Sequence, residues 1–174
     1  MADGVLLDTS FLITLADKNR QNHDVARRYW RHFLDNDIPI YLSTIVVSEF
    51  SVRQVISANI LQCCVILPFN WDNAQRTASI YRVLSCERQA DESRVAVKYD
   101  FKLIAQADGS GAEFIITADS KTLCRFCESL LKAGEVKFTA IRLEDGYDSA
   151  HFDPQRQKDF LDALDGSGEG EEGA

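Results

Sequence analysis

The stretch VLLD at residues 5–8 places a carboxylate directly after a short apolar run. The stretch FIITAD at residues 114–119 repeats this arrangement far along the chain. Short apolar runs of this kind are typical of strands buried on both faces of a sheet. In open parallel sheets, functional sites form beyond the carboxyl ends of the strands. Asp8 and Asp119 are therefore candidate site residues, although each alone also suits the N-cap of a following helix.

Around these two runs, the chain alternates short apolar strands with longer helical stretches. Further strands are predicted at Ile38–Leu42, Val65–Leu67 and Phe138–Leu143, and helices over 22–36, from about Thr44, and over 72–87, 91–107 and 120–133. β-branched residues at 44–47 disfavour the helix that begins at Thr44. The alternation predicts an α/β fold, with three α/β/α layers around a central, mostly parallel sheet of about five strands.

The charge of the chain is concentrated at one end. The net charge of the 174 residues is −8, but residues 144–174 hold ten acids and two bases, whereas residues 1–143 hold 17 of each. The neutral main body does not exclude a polyanionic partner. The hydrophobic content of 45% suits a globular domain with a buried core.

We divide the chain into a main domain at 1–145, a C-terminal helical extension at 146–165 and a disordered acidic tail at 166–174. Asp153 and Pro154 suit the N-cap and first turn of a helix over 153–164. No apolar run approaches the roughly 20 residues of a membrane span, and the N-terminus carries an acid where a secretory leader is basic. The expected location is the cytoplasm, with no membrane partner.

The five cysteines form no disulfide framework, because their number is odd and the chain is not a small secreted one. Cys124 and Cys127 form a CxxC pair, which is compatible with zinc or redox chemistry. No second CxxC completes a zinc site. The expectation is that these cysteines are buried and reduced.

Two further acids interrupt apolar helix faces. Glu49 shares a helical face with residues that include Val46, Val52 and Ile56, and Asp100 shares one with residues that include Ile104. An unpaired carboxylate in such a stripe costs several kcal/mol, so each should be paired or bound to a cation. Two such acids together with two acids at strand ends suggest a shared cation.

Carboxylate oxygens favour hard divalent cations such as Mg²⁺ or Mn²⁺, and crowded carboxylates cannot all remain ionised without a cation. The three histidines, His23, His32 and His151, lie outside these acidic segments, which disfavours a histidine-based mechanism. Water activated by a metal is then the expected nucleophile.

Four segments carry a family resemblance: LDTS at 7–10, STIVVSE at 43–49, DFKLIAQA at 100–107 and IITAD at 115–119. In this order they resemble the successive motifs of PIN-domain ribonucleases. The chain is most similar to the VapC-like toxins of bacterial toxin–antitoxin pairs, over about residues 4–143. The resemblance implies a PIN-like domain that cleaves RNA endonucleolytically with Mg²⁺ or Mn²⁺, a small antitoxin partner and a homodimer.

Carried over by position, the resemblance implies catalytic and metal-binding roles for Asp8, Glu49, Asp100 and Asp119, and supporting roles for Thr9 or Ser10 and for Thr117. Two departures stand out. Family members often carry another acid or amide shortly after the last motif, where this chain has SKT at 120–122, and such toxins do not usually need an acidic tail. The first departure leaves one or two metal ions as alternatives.

Basic and aromatic residues supply candidate contact surfaces. We expect five cations to contact RNA phosphate, namely Arg27, Arg28, Arg31, Lys121 and Arg125; a solvated helix face is the alternative for the first three. Tyr29, Trp30 and Phe33 load one helix with apolar surface, which predicts a homodimer or a bound partner.

Two rival functions remain open at the level of sequence. One is a degenerate PIN-like module that binds RNA or protein without cutting, which leaves Glu49 and Asp100 on apolar faces unexplained. The other is a metal-dependent phosphatase on a similar sheet. Such enzymes usually place a second aspartate two residues after the first, where this chain has Ser10.

Overall fold

The computed structural model describes residues 4–84, 94–118 and 122–153. The five strands are β1 (Val5–Leu7), β2 (Ile40–Ser43), β3 (Val65–Leu67), β4 (Phe114–Thr117) and β5 (Thr139–Arg142). The helices are α1 (Thr9–Ala16), α2 (His23–Asp35), α3 (Thr44–Ser51), α4 (Ala58–Leu61), α5 (Trp71–Leu84), α6 (Arg94–Ser110) and α7 (Leu123–Lys132), followed by 3₁₀ turns at Leu143–Asp145 and Ser149–Phe152. Asp119, Lys121, the predicted helix over 153–164 and the tail at 166–174 lie outside the described residues.

The sheet is entirely parallel, with the strand order β3-β2-β1-β4-β5. Leu7 of β1 lies opposite Leu42 of β2 and Ile116 of β4. The carboxyl ends of these three strands are therefore level with one another. The chain leaves β1 on one side toward β2 and later returns to its other side with β4. This reversal makes the gap between β1 and β4 the topological switch point, where open α/β sheets place their sites.

The predicted fold class is confirmed, and most bounds agree within a few residues. β2 begins at Ile40, two residues later than predicted, because Pro39 has no N–H to donate to a strand ladder. The helix predicted from Thr44 is present despite its β-branched residues. Ser43 caps it by accepting a hydrogen bond from the Ile45 N–H at 2.9 Å, and its apolar residues are buried. Tertiary burial thus outweighs the local propensity.

A buried polar contact fixes α3 relative to the sheet. The Ser43 hydroxyl, which is fully buried, donates to the side-chain oxygen of Gln106 on α6. The side-chain amide of Gln106 donates in turn to the Leu67 carbonyl at the end of β3, at 3.2 Å. Since each polar group has a partner, this contact is stable in the core. It ties α6 to the ends of β2 and β3, and so positions the first turn of α3.

The aromatic residues of α2 are covered by the chain itself. The Tyr29 hydroxyl donates to the Gly146 carbonyl and accepts from the Asp148 N–H, both at 3.1 Å. The ring of Phe152 packs 5.4 Å from that of Phe33. Tyr29 and Phe33 are fully buried, so these two residues give no support to a homodimer, which stays a prediction. Residues 146–152 already cover this apolar surface.

Four of the five cysteines belong to the described residues, and all four are free thiols. Cys124 and Cys127 are buried in the core, and burial raises the pKa of the Cys124 thiol to about 11. A thiol with this pKa stays protonated at neutral pH, which disfavours redox or metal chemistry. The expected burial is confirmed for this CxxC pair, whereas Cys63 is exposed.

Substitution of Gly4 tests how closely the chain packs at the start of the central strand β1. Its φ is +108°, and an added Cβ would lie 2.5 Å from the Tyr41 ring and 2.8 Å from the Pro39 carbonyl oxygen. We predict that Gly4→Ala destabilises the fold by about 2–4 kcal/mol, from strain and overpacking together. Gly111 has φ +71° and no neighbour within 4 Å of an added Cβ. Gly111→Ala should therefore cost only about 1–2 kcal/mol.

Thermal unfolding checks this pair of variants, since about 1 kcal/mol shifts the Tm of a chain of this size by roughly 2–4 °C. Equal losses in Gly4→Ala and Gly111→Ala would contradict the close packing of Gly4 against Pro39 and Tyr41.

Candidate metal centre

Three of the four predicted acids line one cavity of about 290 Å³ at the carboxyl edge of the sheet. Asp8 directly follows β1, Glu49 lies on α3 and Asp100 lies on α6. The other lining residues are Thr9, Ser10, Ile13, Arg53, Thr122 and Leu123. The fourth acid, Asp119, lies outside the described residues. The structure thus brings together Asp8, Glu49 and Asp100, which are far apart in sequence.

Asp8 is the most enclosed of these acids, with 9% of its surface exposed. Its Oδ2 accepts hydrogen bonds from the Ser10 hydroxyl at 2.5 Å and the Thr117 hydroxyl at 2.8 Å. Ser10 Oγ also accepts from the Ala118 N–H at 2.9 Å. Burial raises the pKa of Asp8 above its ordinary value of 3.8, although these hydrogen bonds oppose the shift. Among the side-chain hydrogen bonds described, none reaches Oδ1.

Glu49 and Asp100 are each held by a threonine hydroxyl. Thr9 Oγ1 donates to Glu49 Oε2, and Thr122 Oγ1 donates to Asp100 Oδ2 at 2.5 Å. Both acids are half-buried at the cavity. A hydroxyl therefore supports every acid of the cavity. The structure places Thr9, Ser10 and Thr117 beside the acids that they were predicted to support, whereas Thr122 was not predicted.

Glu49 and Asp100 are candidates because each interrupts a predicted apolar helix face, and these faces are present in the structure with one exception. Val97, Ile104 and other residues around Asp100 on α6 are buried. Near Glu49, Val46 is buried but Val52 is 84% exposed. The predicted stripe is wrong at Val52 because α3 ends at Ser51 and the chain then turns.

Among the described residues that line the cavity, carboxylate and hydroxyl oxygens fit a hard divalent cation and no sulfur or imidazole ligand is present, while Arg53 adds one positive charge. Within the described residues, however, no group of three or more Asp, Glu, His or Cys side chains is close enough to hold one ion. The described acids line one cavity without converging on a single point, so the shared cavity and the lack of a three-residue cluster among them are compatible.

Three of the predicted RNA-binding arginines lie on a different cavity. Arg27, Arg28 and Arg31 line a separate cavity of about 450 Å³ on α2, which shares no lining residue with the acid cavity. The Arg28 guanidinium lies 4.3 Å from the centre of the Tyr147 ring. Arg125 packs over the ring of Phe126 at 4.8 Å. Arg27, Arg28 and Arg31 therefore line a different cavity from the acids, and contact of the five predicted cations with RNA stays a prediction.

Arg53 lines the acid cavity and was missed from the sequence. It follows Glu49 by four residues, the spacing that places two side chains on one side of a helix. This signal was available in the sequence. It carried no weight alone, because an acid and a base at that spacing more often form a solvated ion pair.

Comparison with solved structures identifies the fold. A chain of the DNA-bound VapBC complex of Salmonella typhimurium is 13% identical, with a TM-score of 0.55, covering 80% of this chain and 98% of that chain. VapBC2 of Rickettsia felis, bound to a promoter DNA fragment, is 13% identical, with a TM-score of 0.54 and coverage of 79% and 97%. VapC20 of Mycobacterium tuberculosis, a Sarcin-Ricin loop cleaving toxin, is 17% identical, with a TM-score of 0.50 and coverage of 68% and 92%.

No protein-family model and no curated protein sequence matches the chain. At these low identities the structural likeness establishes the architecture alone. The protein has a VapC-like PIN-domain fold. Among the helices of the described residues, none has the length and apolar character needed to cross a membrane.

Burial of the Asp8 carboxylate should make the stability of the protein depend on pH. Because the folded-state pKa of Asp8 lies above 3.8, the folded protein binds this proton more tightly than the unfolded chain. The contribution of Asp8 to the free energy of unfolding is therefore greatest below about pH 3.8, and it is lost as the pH rises through the folded-state pKa. We predict that, in EDTA at pH 7, Asp8→Asn raises Tm, by roughly 2–4 °C for each kcal/mol relieved.

The gain should vanish near pH 3, where the carboxyl of the unchanged protein is neutral as well. Asp35 is exposed, so Asp35→Asn removes the same charge without relieving burial and should stay within about 0.5 kcal/mol of the parent. A Tm of Asp8→Asn below that of the parent at pH 7 in EDTA would contradict a desolvated carboxylate.

Proposed function

We propose that the protein is a metal-dependent endoribonuclease that hydrolyses RNA phosphodiester bonds in the cytoplasm, as the toxin of a toxin–antitoxin pair. The observation that carries this proposal is the cavity shared by Asp8, Glu49 and Asp100. It lies at the topological switch point of the sheet, where this class of fold places its sites. The resemblance of the sequence to PIN-domain ribonucleases supports the same reaction.

Asp8, Glu49, Asp100 and Asp119 would hold Mg²⁺ or Mn²⁺. When bound, such an ion lowers the pKa of a water molecule and neutralises charge on a phosphate. The chain's own contribution is to orient the acids. Ser10 and Thr117 both donate to Oδ2 of Asp8, which fixes the orientation of the carboxylate.

The threonines perform the same task for the other two acids. Thr9 engages one oxygen of Glu49, and Thr122 engages one oxygen of Asp100. A carboxylate held in this way has fewer rotamers to lose on binding, which favours a defined arrangement of charge. Thr9, Ser10 and Thr117 are accordingly positioning residues and not catalytic ones.

The two rival functions are less well supported. A phosphatase of the kind considered above needs an acid at position 10, and Ser10 instead donates a hydrogen bond to Asp8. A binding module without catalysis leaves the buried charge of Asp8 without a purpose, since a neutral side chain would be less costly there. The ribonuclease gives each acid a function.

An antitoxin partner is part of the proposal. Structural neighbours include VapBC complexes, which supports a partner of this kind. Exposed apolar side chains of the edge strand β3 offer a surface for it, since Val65 is 53% exposed and Ile66 44%. Contiguous exposed apolar residues commonly mark protein interfaces. A homodimer, if formed, would use such a surface and not Tyr29 or Phe33, which are buried.

Substitution of the acids tests the proposed reaction. We predict that Asp8→Asn and Asp100→Asn each reduce RNA cleavage at least about 100-fold, because each retains its shape but loses charge that binds the cation. EDTA should stop the unchanged protein, and Mn²⁺ should restore it. Cleavage is measured on a labelled RNA by gel electrophoresis.

Asp72 provides the matched control, since it is an exposed acid on α5 outside the acid cavity. Asp72→Asn should cleave at the rate of the unchanged protein. Cleavage that survives both chelation and Asp100→Asn would overturn the metal-dependent mechanism.

A further inference from the structure

A second cavity adjoins the acid cavity. It has a volume of about 560 Å³ and shares two lining residues, Ile13 and Arg53, with the cavity that holds the acids. Its volume lies within the range of about 300–1,000 Å³ typical of ligand pockets. Because the two cavities have residues in common, an extended ligand can occupy both.

We propose that this second cavity, here called the Lys18 groove, holds an unpaired nucleotide next to the scissile phosphate of the RNA. Arg53 and Lys18 would contact successive phosphates, while polar side chains of the groove face the base. The inference rests on the proposed nuclease function and adds to it the path of the strand and the form of the RNA.

The acid cavity is rich in negative charge and the Lys18 groove in positive charge, as expected if a metal ion binds in the first and RNA phosphates bind in the second. Carboxylates dominate the acid cavity, whereas Lys18 and Arg53 bring two cations to the Lys18 groove. Among the described residues of the groove the single acid is Asp17, whose Oδ1 accepts from the Asn19 N–H at 3.0 Å, so the two cations leave the lining with a net positive charge. The groove therefore attracts phosphate, and contacts with phosphate fix the position of a nucleic-acid strand.

Arg53 lies at the junction of the two cavities and is exposed. Within the described residues, its guanidinium has no hydrogen-bond or ion-pair partner, although Glu49 lies only four residues before it. A guanidinium can hold a phosphate through two parallel hydrogen bonds, which an ammonium group cannot do. Arg53 is thus suited to the phosphate next to the acids.

The remaining side chains suit an unpaired base. The Nδ1–H of His23 donates to the Thr14 carbonyl at 2.9 Å, which fixes the half-buried ring at the wall of the groove. Asn19 and Gln54 add two amides. Unpaired RNA bases are commonly recognised by stacking on aromatic or imidazole rings and by amide hydrogen bonds, whereas duplex RNA hides these base edges. The groove therefore favours single-stranded or looped RNA.

Binding measurements on a cleavage-deficient protein test this assignment. In the full-length Asp100→Asn background with Mg²⁺, the affinity for a labelled single-stranded RNA is measured by fluorescence anisotropy over a range of salt concentrations. Adding Lys18→Ala or Arg53→Ala should weaken binding about tenfold, as expected for loss of a charged hydrogen bond. Each should also lower the salt slope by about 0.7, the value for one lost phosphate contact on a single strand.

Lys132→Ala is the matched control, because Lys132 is an exposed cation at the end of α7 that does not line the acid cavity or the Lys18 groove. It should leave both the affinity and the salt slope unchanged. Arg53→Lys should keep the salt slope but lose part of the affinity, which a merely structural role would not produce. A duplex of the same sequence should bind more weakly than the single strand.

The result that overturns the inference is unchanged affinity and salt slope in Lys18→Ala and Arg53→Ala, or equal binding of duplex and single strand. A cleavage assay on the otherwise unchanged protein separates the two proposals. If the unchanged protein cleaves RNA and Lys18→Ala cleaves equally well, the Lys18 groove does not bind the substrate, but the proposed nuclease function is retained. If the unchanged protein binds RNA through Lys18 but does not cleave it, RNA binding in the Lys18 groove is retained and the proposed nuclease function is rejected. Absence of RNA binding overturns both.

Discussion

The buried carboxylate of Asp8 is the constraint around which the site is built. It ends the central strand, where the level carboxyl ends of three parallel strands leave little access to water. A charge there must be compensated, and hydroxyls from two different elements converge on it, Ser10 at the start of α1 and Thr117 at the end of β4. Compensation by hydroxyls is partial, since the pKa of Asp8 remains raised. Under the proposed function, a bound divalent cation would supply the remaining compensation.

Much of the fold was accessible from the sequence, because short apolar runs and helical periodicity report burial directly. The same logic located the acids. Asp100 was identified as a carboxylate on an apolar helix face, and the structure places it on the cavity side of α6 with Thr122 as its partner. Thr44–Ser51 shows the limit of local propensity, since burial of its apolar face stabilises a helix that its β-branched residues oppose.

Features that depend on how distant segments meet were not accessible. The aromatic face of α2 resembled an interface until residues 146–152 were seen to cover it, and no periodicity within α2 reveals a cover supplied from the other end of the chain. Arg27, Arg28 and Arg31 and the single Arg53 look alike in sequence. Only the three-dimensional arrangement shows that the former line a cavity separate from the acids and that the latter lies beside them.

The most direct measurement of the central claim is the location of Mn²⁺ by anomalous X-ray scattering from crystals of the protein grown or soaked with that ion. The account predicts an anomalous peak in the acid cavity, within about 2–2.6 Å of oxygens of Asp8 and of at least one of Glu49, Asp100 and Asp119. The peak should be lost in Asp8→Asn. Crystals saturated with Mn²⁺ that show no peak there, or a peak that persists unchanged in Asp8→Asn, would contradict a metal centre at this site.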